Sequence, residues 1–359
     1  PARLLLSSNG IECPNPLTLS GATGTVGVQG VLSRQGMSDL TVTFSRFMAT
    51  DWLATLSQNR FLVEGLDARV HLSGPLLRPQ IIAKGNIAKL AGKDAPLSLA
   101  GIFDLSYSSE GVVIRSFEWT GAGGHRITLL GNIPFDPIGE KRFLPGEISL
   151  TGRAEVPEIA ILSFFLPAGL AMKGRLSADV ALRGTWDDPF GELRWSAKDL
   201  ILPASIKPCP PGPFALDGEI TVQGSEARLK NFHLEAQDVV LTASGQWDGM
   251  PQFGNAIRGG IIPLDGMVSG QGIVKCRDIS WLADRIKGIR RLSGAVDAEW
   301  SVKGPLRQPE VSGTLSLANG ELRPESSTVP PIKAVSGAMA VKGRTITIEN
   351  LAGELGGSP

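Results

Sequence analysis

The three histidines, His71, His125 and His233, stand far apart in a chain of 359 residues. None lies beside a Cys, a Ser or a carboxylate in a recognised catalytic order, so each reads as a surface or strand-face histidine. The run Gly121-Ala122-Gly123-Gly124 has the freedom of a phosphate-cradling loop but lacks the Gly-Lys-Ser/Thr ending. It reads as a turn between strands. Asp187-Asp188 is a carboxylate pair, but glycosidase chemistry needs two carboxylates at a set separation across a cleft, and Asp is favoured in turns in any case. Cys13, Cys209 and Cys276 show no CxxC spacing, so neither a zinc site nor a disulfide framework is encoded; one disulfide stays open, and the odd count leaves a thiol unpaired in a monomer. No metal and no cofactor is expected, and the protein is not expected to be an enzyme.

Composition narrows the class further. Lys plus Arg and Asp plus Glu both number 35, so the formal net charge is zero and there is no electrostatic footprint for nucleic acid. With 44 glycines and 25 prolines, turns are frequent, while the 42% apolar content still provides a core. The chain begins at Pro1 without a basic-then-apolar leader, as a piece of a longer or processed protein would. Its longest apolar stretch, Ile159 to Met172, contains Pro167 and Gly169 and falls short of the roughly 20 residues a membrane-spanning helix requires. No membrane span is expected in this segment.

The elements that would position any site are strands. Leu66, Ala68, Val70 and Leu72 alternate with Asp67, Arg69, His71 and Ser73, the period of a half-buried strand. The pattern returns as Leu176, Ala178, Val180 and Leu182, and again as Val296, Ala298, Trp300 and Val302, each followed by a glycine: Gly74, Gly184 and Gly304. GPLLRP, GTWDDP and GPLRQP then place a proline five residues on. Internal duplication in units of about 115 residues follows, longer than the roughly 20 to 50 residues of ordinary solenoid repeats, so each unit is a small sheet.

Further landmarks recur at matching offsets. Gly101, Gly218 and Gly337 each follow an apolar strand start, and Ile114 to Phe117, Leu229 to Phe232 and Ile348 to Leu351 share an apolar-x-x-apolar step. Short helix-like stretches are expected at Thr50 to Gln58, Pro157 to Leu166 and Asp278 to Lys287. Asn9-Gly10, Asn319-Gly320 and Asp248-Gly249 read as turns, and the prolines of Pro203 to Pro213 as an edge or linker. Crossover helices are missing, which favours an all-β meander over α/β. The boundaries expected are a partial repeat at 1–49, repeats at 50–155 and 156–277 and an incomplete one at 278–359, together one continuous elongated domain.

These residues carry a resemblance. A short helix, then G-x-L-x-A-x-V-x-L-x-G, a few residues to Pro, then G-x-L and renewed alternation is similar to the repeat of the TamB/AsmA-like family. The best instance runs from Asp278-Ile279-Ser280-Trp281-Leu282 through Leu292 to Gly304 and on through Pro309 to Leu317, with Gly174 to Trp195 nearly as good. The likeness extends over Thr18 to Ser358, and Gln80 to Gly85 departs from it in the first copy. It implies a long periplasmic protein anchored in the inner membrane, its β-sheet twisted and curled into an open taco-like groove with an apolar concave face and few short helices. Bridge-like lipid transfer proteins are similar. The implied role is to conduct phospholipid between inner and outer membranes, with a BamA-type outer-membrane barrel of the TamA kind as partner.

A sheet face lined by aliphatics must be covered or must cover something else. The expected lining comprises Leu66, Ala68, Val70, Leu72, Phe103, Leu105, Leu176, Ala178, Val180, Leu182, Leu193 and Trp195. It continues with Ile220, Val222, Val296, Ala298, Trp300, Val302, Leu315, Leu317, Ile346 and Ile348. Alternation reports a buried face but not what buries it, so these side chains equally suit the core of a closed sandwich. A structural β-repeat scaffold that assists outer-membrane protein assembly, and a carbohydrate-active enzyme, are the alternatives in function.

Overall fold

The computed structural model describes residues 4–50, 61–92, 98–136, 143–161, 172–202, 212–249, 266–326 and 330–356. The chain is all-β, and its strands pair antiparallel. It forms two compact units, Pro1–Ala171 with Arg175–Gly191, and Met172–Gly174 with Glu192–Pro359.

The first unit contains β1 (Leu5–Ser7), β2 (Gly10–Gly21), β3 (Gly24–Ser33), β4 (Met37–Phe47), β5 (Phe61–Pro75) and β6 (Gln80–Gly92). It continues with β7 (Ser98–Ser108), β8 (Gly111–Gly121), β9 (His125–Ile133), β10 (Ile148–Val156) and the part of β11 (Lys173–Gly184) from Arg175 onward. Each strand pairs with the next. Among the described residues no pairing joins β1 to β11, so this meander is not a closed barrel.

The second unit takes β12 (Pro189–Ile201) from Glu192 onward, then β13 (Phe214–Gln223), β14 (Glu226–Glu235), β15 (Val239–Asp248) and β16 (Met267–Cys276). A 3-10 helix at Ser280–Arg285 precedes β17 (Ile289–Pro305), β18 (Glu310–Pro324), β19 (Ile332–Lys342) and β20 (Thr345–Leu355). Here too each strand from β13 to β19 pairs with its successor, and β12 lies beside β13.

The turn glycines explain themselves by backbone geometry. Gly74, Gly184 and Gly304 close β5, β11 and β17 with φ of 88°, 93° and 114°, a region an L-residue enters only at about 1–2 kcal/mol. The proline that follows begins or precedes the return strand, where its missing N–H interrupts no central ladder.

Asn319-Gly320 is not a turn. It lies within β18, where Asn319 has φ 54° and the pairing with β17 shifts between Ser293 and Ala295. Asn tolerates the left-handed conformation, and here that property serves a β-bulge rather than a hairpin. The apolar-x-x-apolar steps have the same origin. Ile114 and Phe117 pair with Leu105 and Phe103, Leu229 and Phe232 with Ile220 and Gly218, and Ile348 and Leu351 with Met339 and Gly337. One extra residue in β8, β14 or β20 keeps both apolar side chains, three apart in sequence, on one face.

Of the helix-like stretches, Asp278 to Lys287 contains the 3-10 helix Ser280–Arg285, anchored where the Ile279 N–H donates to the Gly294 carbonyl at 3.0 Å. Thr50 is helical, but Asp51 to Gln58 lie outside the described residues, as do residues 162–166 of the second stretch and 203–211 of the proline-rich segment. Deep burial is local. In the first unit Phe47, Ala49, Val63 and Leu90 form one cluster and Leu99, Val156 and Ile161 another, with Trp119 packed against both.

Candidate functional site

Because facing residues of an antiparallel pair point the same way, the strand registers trace side chains across each sheet. In the first unit one row runs Leu17, Val28, Val42, Val70, Ala83, Leu105, Ile114, Gly131, Leu150 and Leu182, from β2 to β11. Leu19, Val26, Phe44, Ala68, Gly85, Phe103 and Phe117 form a parallel row. Neither row holds an ionisable side chain.

The second unit repeats the arrangement. Leu216, Leu234, Leu241, Val274, Ala298, Leu315, Met339 and Ile348 face one another in succession from β13 to β20. Val239, Cys276, Val296, Leu317, Gly337 and Leu351 follow beside it.

Every sequence-predicted lining residue falls on these faces. Leu66 and Leu72 face Ile87 and Ile81, while Leu176, Ala178 and Val180 face Val156, Ala154 and Gly152. Ile220 faces Leu229, Val222 faces Ala227, Val302 faces Val311, and Ile346 faces Val341. Trp300 faces Gly272 and Gly313. Trp195 reaches over Gly218, which sets Trp195, and Leu193 two residues before it, on the same face of β12.

Most of these side chains are only half-buried, and three are exposed, Leu193 at 38%, Ile346 at 67% and Ile348 at 60%. Among the described residues β20 pairs with β19 alone, and its residues are exposed throughout. At this end a hollow of about 420 Å³ opens on the apolar face, lined by Leu292, Leu317, Leu322, Ile332, Leu351 and Leu355 among others.

Charge is kept to the opposite face. Asp104 there meets Lys84 at 3.5 Å and Arg115 at 3.3 Å, and Arg126 meets Glu118 at 2.8 Å. In the second unit Glu219 accepts from Lys230 at 2.6 Å and lies 3.5 Å from Arg194, and the Lys230 hydrogen bond holds its carboxyl below the usual range. Tyr107, at the edge of the apolar face, donates its hydroxyl to Asp136 Oδ1 at 2.6 Å, and its pKa is pushed up to about 12, first by burial and then by that carboxylate.

The histidines divide. His71 lies within 3.2 Å of the Thr41 hydroxyl and His233 within 3.9 Å of Glu235, both on strand faces. His125 departs from the surface reading: it is 3% exposed, its Nδ1 has no partner, and burial holds its pKa below the ordinary value against the pull of Glu158. It sits opposite Gly121, close enough to the segment after β10 for Glu158 to act on it. Gly121 to Gly124 do form a turn, and Asp187 and Asp188 lie exposed in another, the Asp188 N–H capped by the Thr185 hydroxyl at 3.1 Å. Cys13 and Cys276 are buried free thiols, and Cys209 lies outside the described residues. Among the described residues no group of His, Cys, Asp or Glu has metal-binding geometry, and no helix is long and apolar enough to cross a membrane.

Leu17, Val28, Val42, Leu234, Leu241, Val274 and Met339 belong to the apolar rows without having been expected there. Gly245 and Gly270 dilute the alternation around them, and the bulge of β14 breaks its period, so the available signal was the three-residue apolar step. No protein-family model matches the chain, and no characterised protein matches it in sequence.

Proposed function

We propose that this chain holds the acyl chains of phospholipid against its apolar face and conducts lipid along it, in the manner of a TamB/AsmA-like protein between the inner and outer membranes. The observation that carries the reading is the pair of unbroken apolar rows, β2 to β11 and β13 to β20, whose side chains are half-exposed rather than packed away. Removing apolar surface from water is worth about 25 cal/mol per Å², and each buried CH₂ about 0.8 kcal/mol. Binding assembled from such increments has no preferred position, which suits sliding. Curling of the sheets into a taco-like trough, a periplasmic location, an inner-membrane anchor elsewhere in the full protein and a BamA-type barrel as partner belong to the same proposal. The role is one of holding and conducting, without a chemical step.

Native mass spectrometry and lipid extraction of freshly purified protein test it. Co-purified phospholipid, displaced by added detergent, is the expected result. Protein that carries no lipid and acquires none from phospholipid vesicles would replace this reading with a structural β-repeat scaffold.

A further inference from the structure

We infer that the second unit carries a separate binding site on its polar face, and that the site takes an uncharged, hydroxyl-rich chain, a glycan strand. Two hollows of about 720 and 670 Å³ lie there over β14 to β18 and share Lys230, Ser244, Gln271 and Ser301. Each falls within the range of about 300–1,000 Å³ typical of binding clefts. The bulge between Leu229 and Phe232 bends β14 at their margin.

The lining selects the ligand. Ser244, Gln271, Ser301 and Ser312 are successive register partners, so their hydroxyl and amide groups form a row across four strands. Strands lie about 4.8 Å apart, close to the length of one sugar residue in an extended glycan. Ser301 and Ser312 share one hydrogen bond at 2.8 Å, which leaves each hydroxyl further capacity to donate or accept. Such groups serve a partner that also offers both donors and acceptors.

Other ligand classes fit less well. Two cations at the rim are matched, Lys230 with Glu219 at 2.6 Å and Arg228 with Glu226 at 2.7 Å; the third, Lys303, stands opposite Glu310 in the register of β17 and β18, and Glu299 adds a negative charge to the lining of the first hollow. A polyanion therefore finds little uncompensated charge. Trp300 borders the hollow, but its ring lies over Gly272 on the other face, so an acyl chain would meet mainly hydroxyls and amides.

The test is isothermal titration calorimetry of the full chain with cellohexaose, with the hexamer of N-acetylglucosamine, and with hexagalacturonate as the anionic counterpart. At least one neutral hexamer should bind, and binding should weaken roughly tenfold or more in the double variant Gln271→Ala/Ser301→Ala, which removes two hydrogen-bonding groups. Ser244→Ala/Ser312→Ala, an independent pair of small exposed-face changes, should weaken it likewise, while Lys275→Ala, exposed on the same face but outside both hollows, should not. Binding of neither neutral hexamer would overturn the inference. So would binding indifferent to both double variants, or salt-sensitive binding that favours hexagalacturonate. None of these results bears on lipid occupancy, which reports on the opposite face.

Discussion

The indole of Trp195 on β12 covers Gly218 on β13: a Cβ added at residue 218 would meet Cη2 at 2.8 Å and Cε2 at 2.9 Å, with no backbone atom as close. A large ring thus occupies the space that a glycine leaves vacant on the neighbouring strand, an arrangement that restores packing where glycine alone would weaken a sheet. Gly218→Ala should destabilise the second unit by about 1–3 kcal/mol through overpacking. In a Trp195→Ala background the same substitution should be close to neutral, because the colliding group is gone. Urea unfolding of the four proteins in this cycle reads the coupling, and additive effects would place the indole elsewhere.

Gly304 and Gly184 occupy the same place in the repeated turn but have different surroundings. A Cβ at Gly304 would come no nearer than 3.8 Å to another atom, so Gly304→Ala meets backbone strain alone, about 1–2 kcal/mol at φ 114°. At Gly184 the Asp188 carbonyl oxygen stands in the way as well. Gly184→Ala should therefore lower the unfolding midpoint further than Gly304→Ala.

Neighbouring residues of β11 test the assignment of faces. Val180 sits over Gly152 in the apolar row, whereas Asp179 is exposed and 3.8 Å from Arg153. Val180→Asp puts an unpartnered charge among aliphatics and should cost at least about 2 kcal/mol. Asp179→Lys loses only an exposed, solvent-screened pair and should change stability far less. Thermal unfolding that shifted equally for the two would mean that Val180 and Asp179 do not lie on unlike faces.

Tyr107 is the one tyrosine in the chain, so tyrosinate absorbance reports on it without deconvolution. Its titration should have a midpoint near 12, since burial and the Asp136 carboxylate both disfavour the phenolate. Asp136→Asn removes the charge and should bring the midpoint down towards the ordinary value of about 10. The neutral phenol is the form the fold prefers, so its contribution to stability is complete below about pH 10 and is lost as pH rises towards 12.

Charges placed on the apolar faces should stop passage without emptying those faces. Leu182 faces Leu150, and Trp300 faces Gly272 and Gly313. Leu182→Glu and Trp300→Glu, combined in protein that still folds by circular dichroism, should retain bound phospholipid and lose transfer between two vesicle populations. An acyl chain passing a carboxylate must strip its water or leave the surface. Undiminished transfer by the folded double variant would exclude a lipid path along these rows.

Much of the architecture was legible from β5, β11 and β17, where strict alternation ends in a glycine whose positive φ the turn requires. The faces of those strands followed from the period alone. Less was legible in β8 and β14, where a bulge imposes a three-residue step that imitates helical spacing, and at Asn319-Gly320, where a turn-like dipeptide sits inside a strand. Burial of His125 depends on how the segment after β10 folds back, which local sequence does not encode. The hydroxyl row of Ser244, Gln271, Ser301 and Ser312 was invisible for a different reason. Its members come together only through the registers of β15 to β18.

The pairing of each strand with its sequence neighbours also bears on how the protein is made. Within each unit a newly synthesised strand finds its partner in the strand just completed, so little loop-closure entropy is lost before contacts form. Each new strand therefore finds one partner already made, and the sheet lengthens at one edge as synthesis proceeds. A chain interrupted at Gly343 would lack β20 and bare the edge of β19, yet every earlier strand of the second unit would keep its full set of partners.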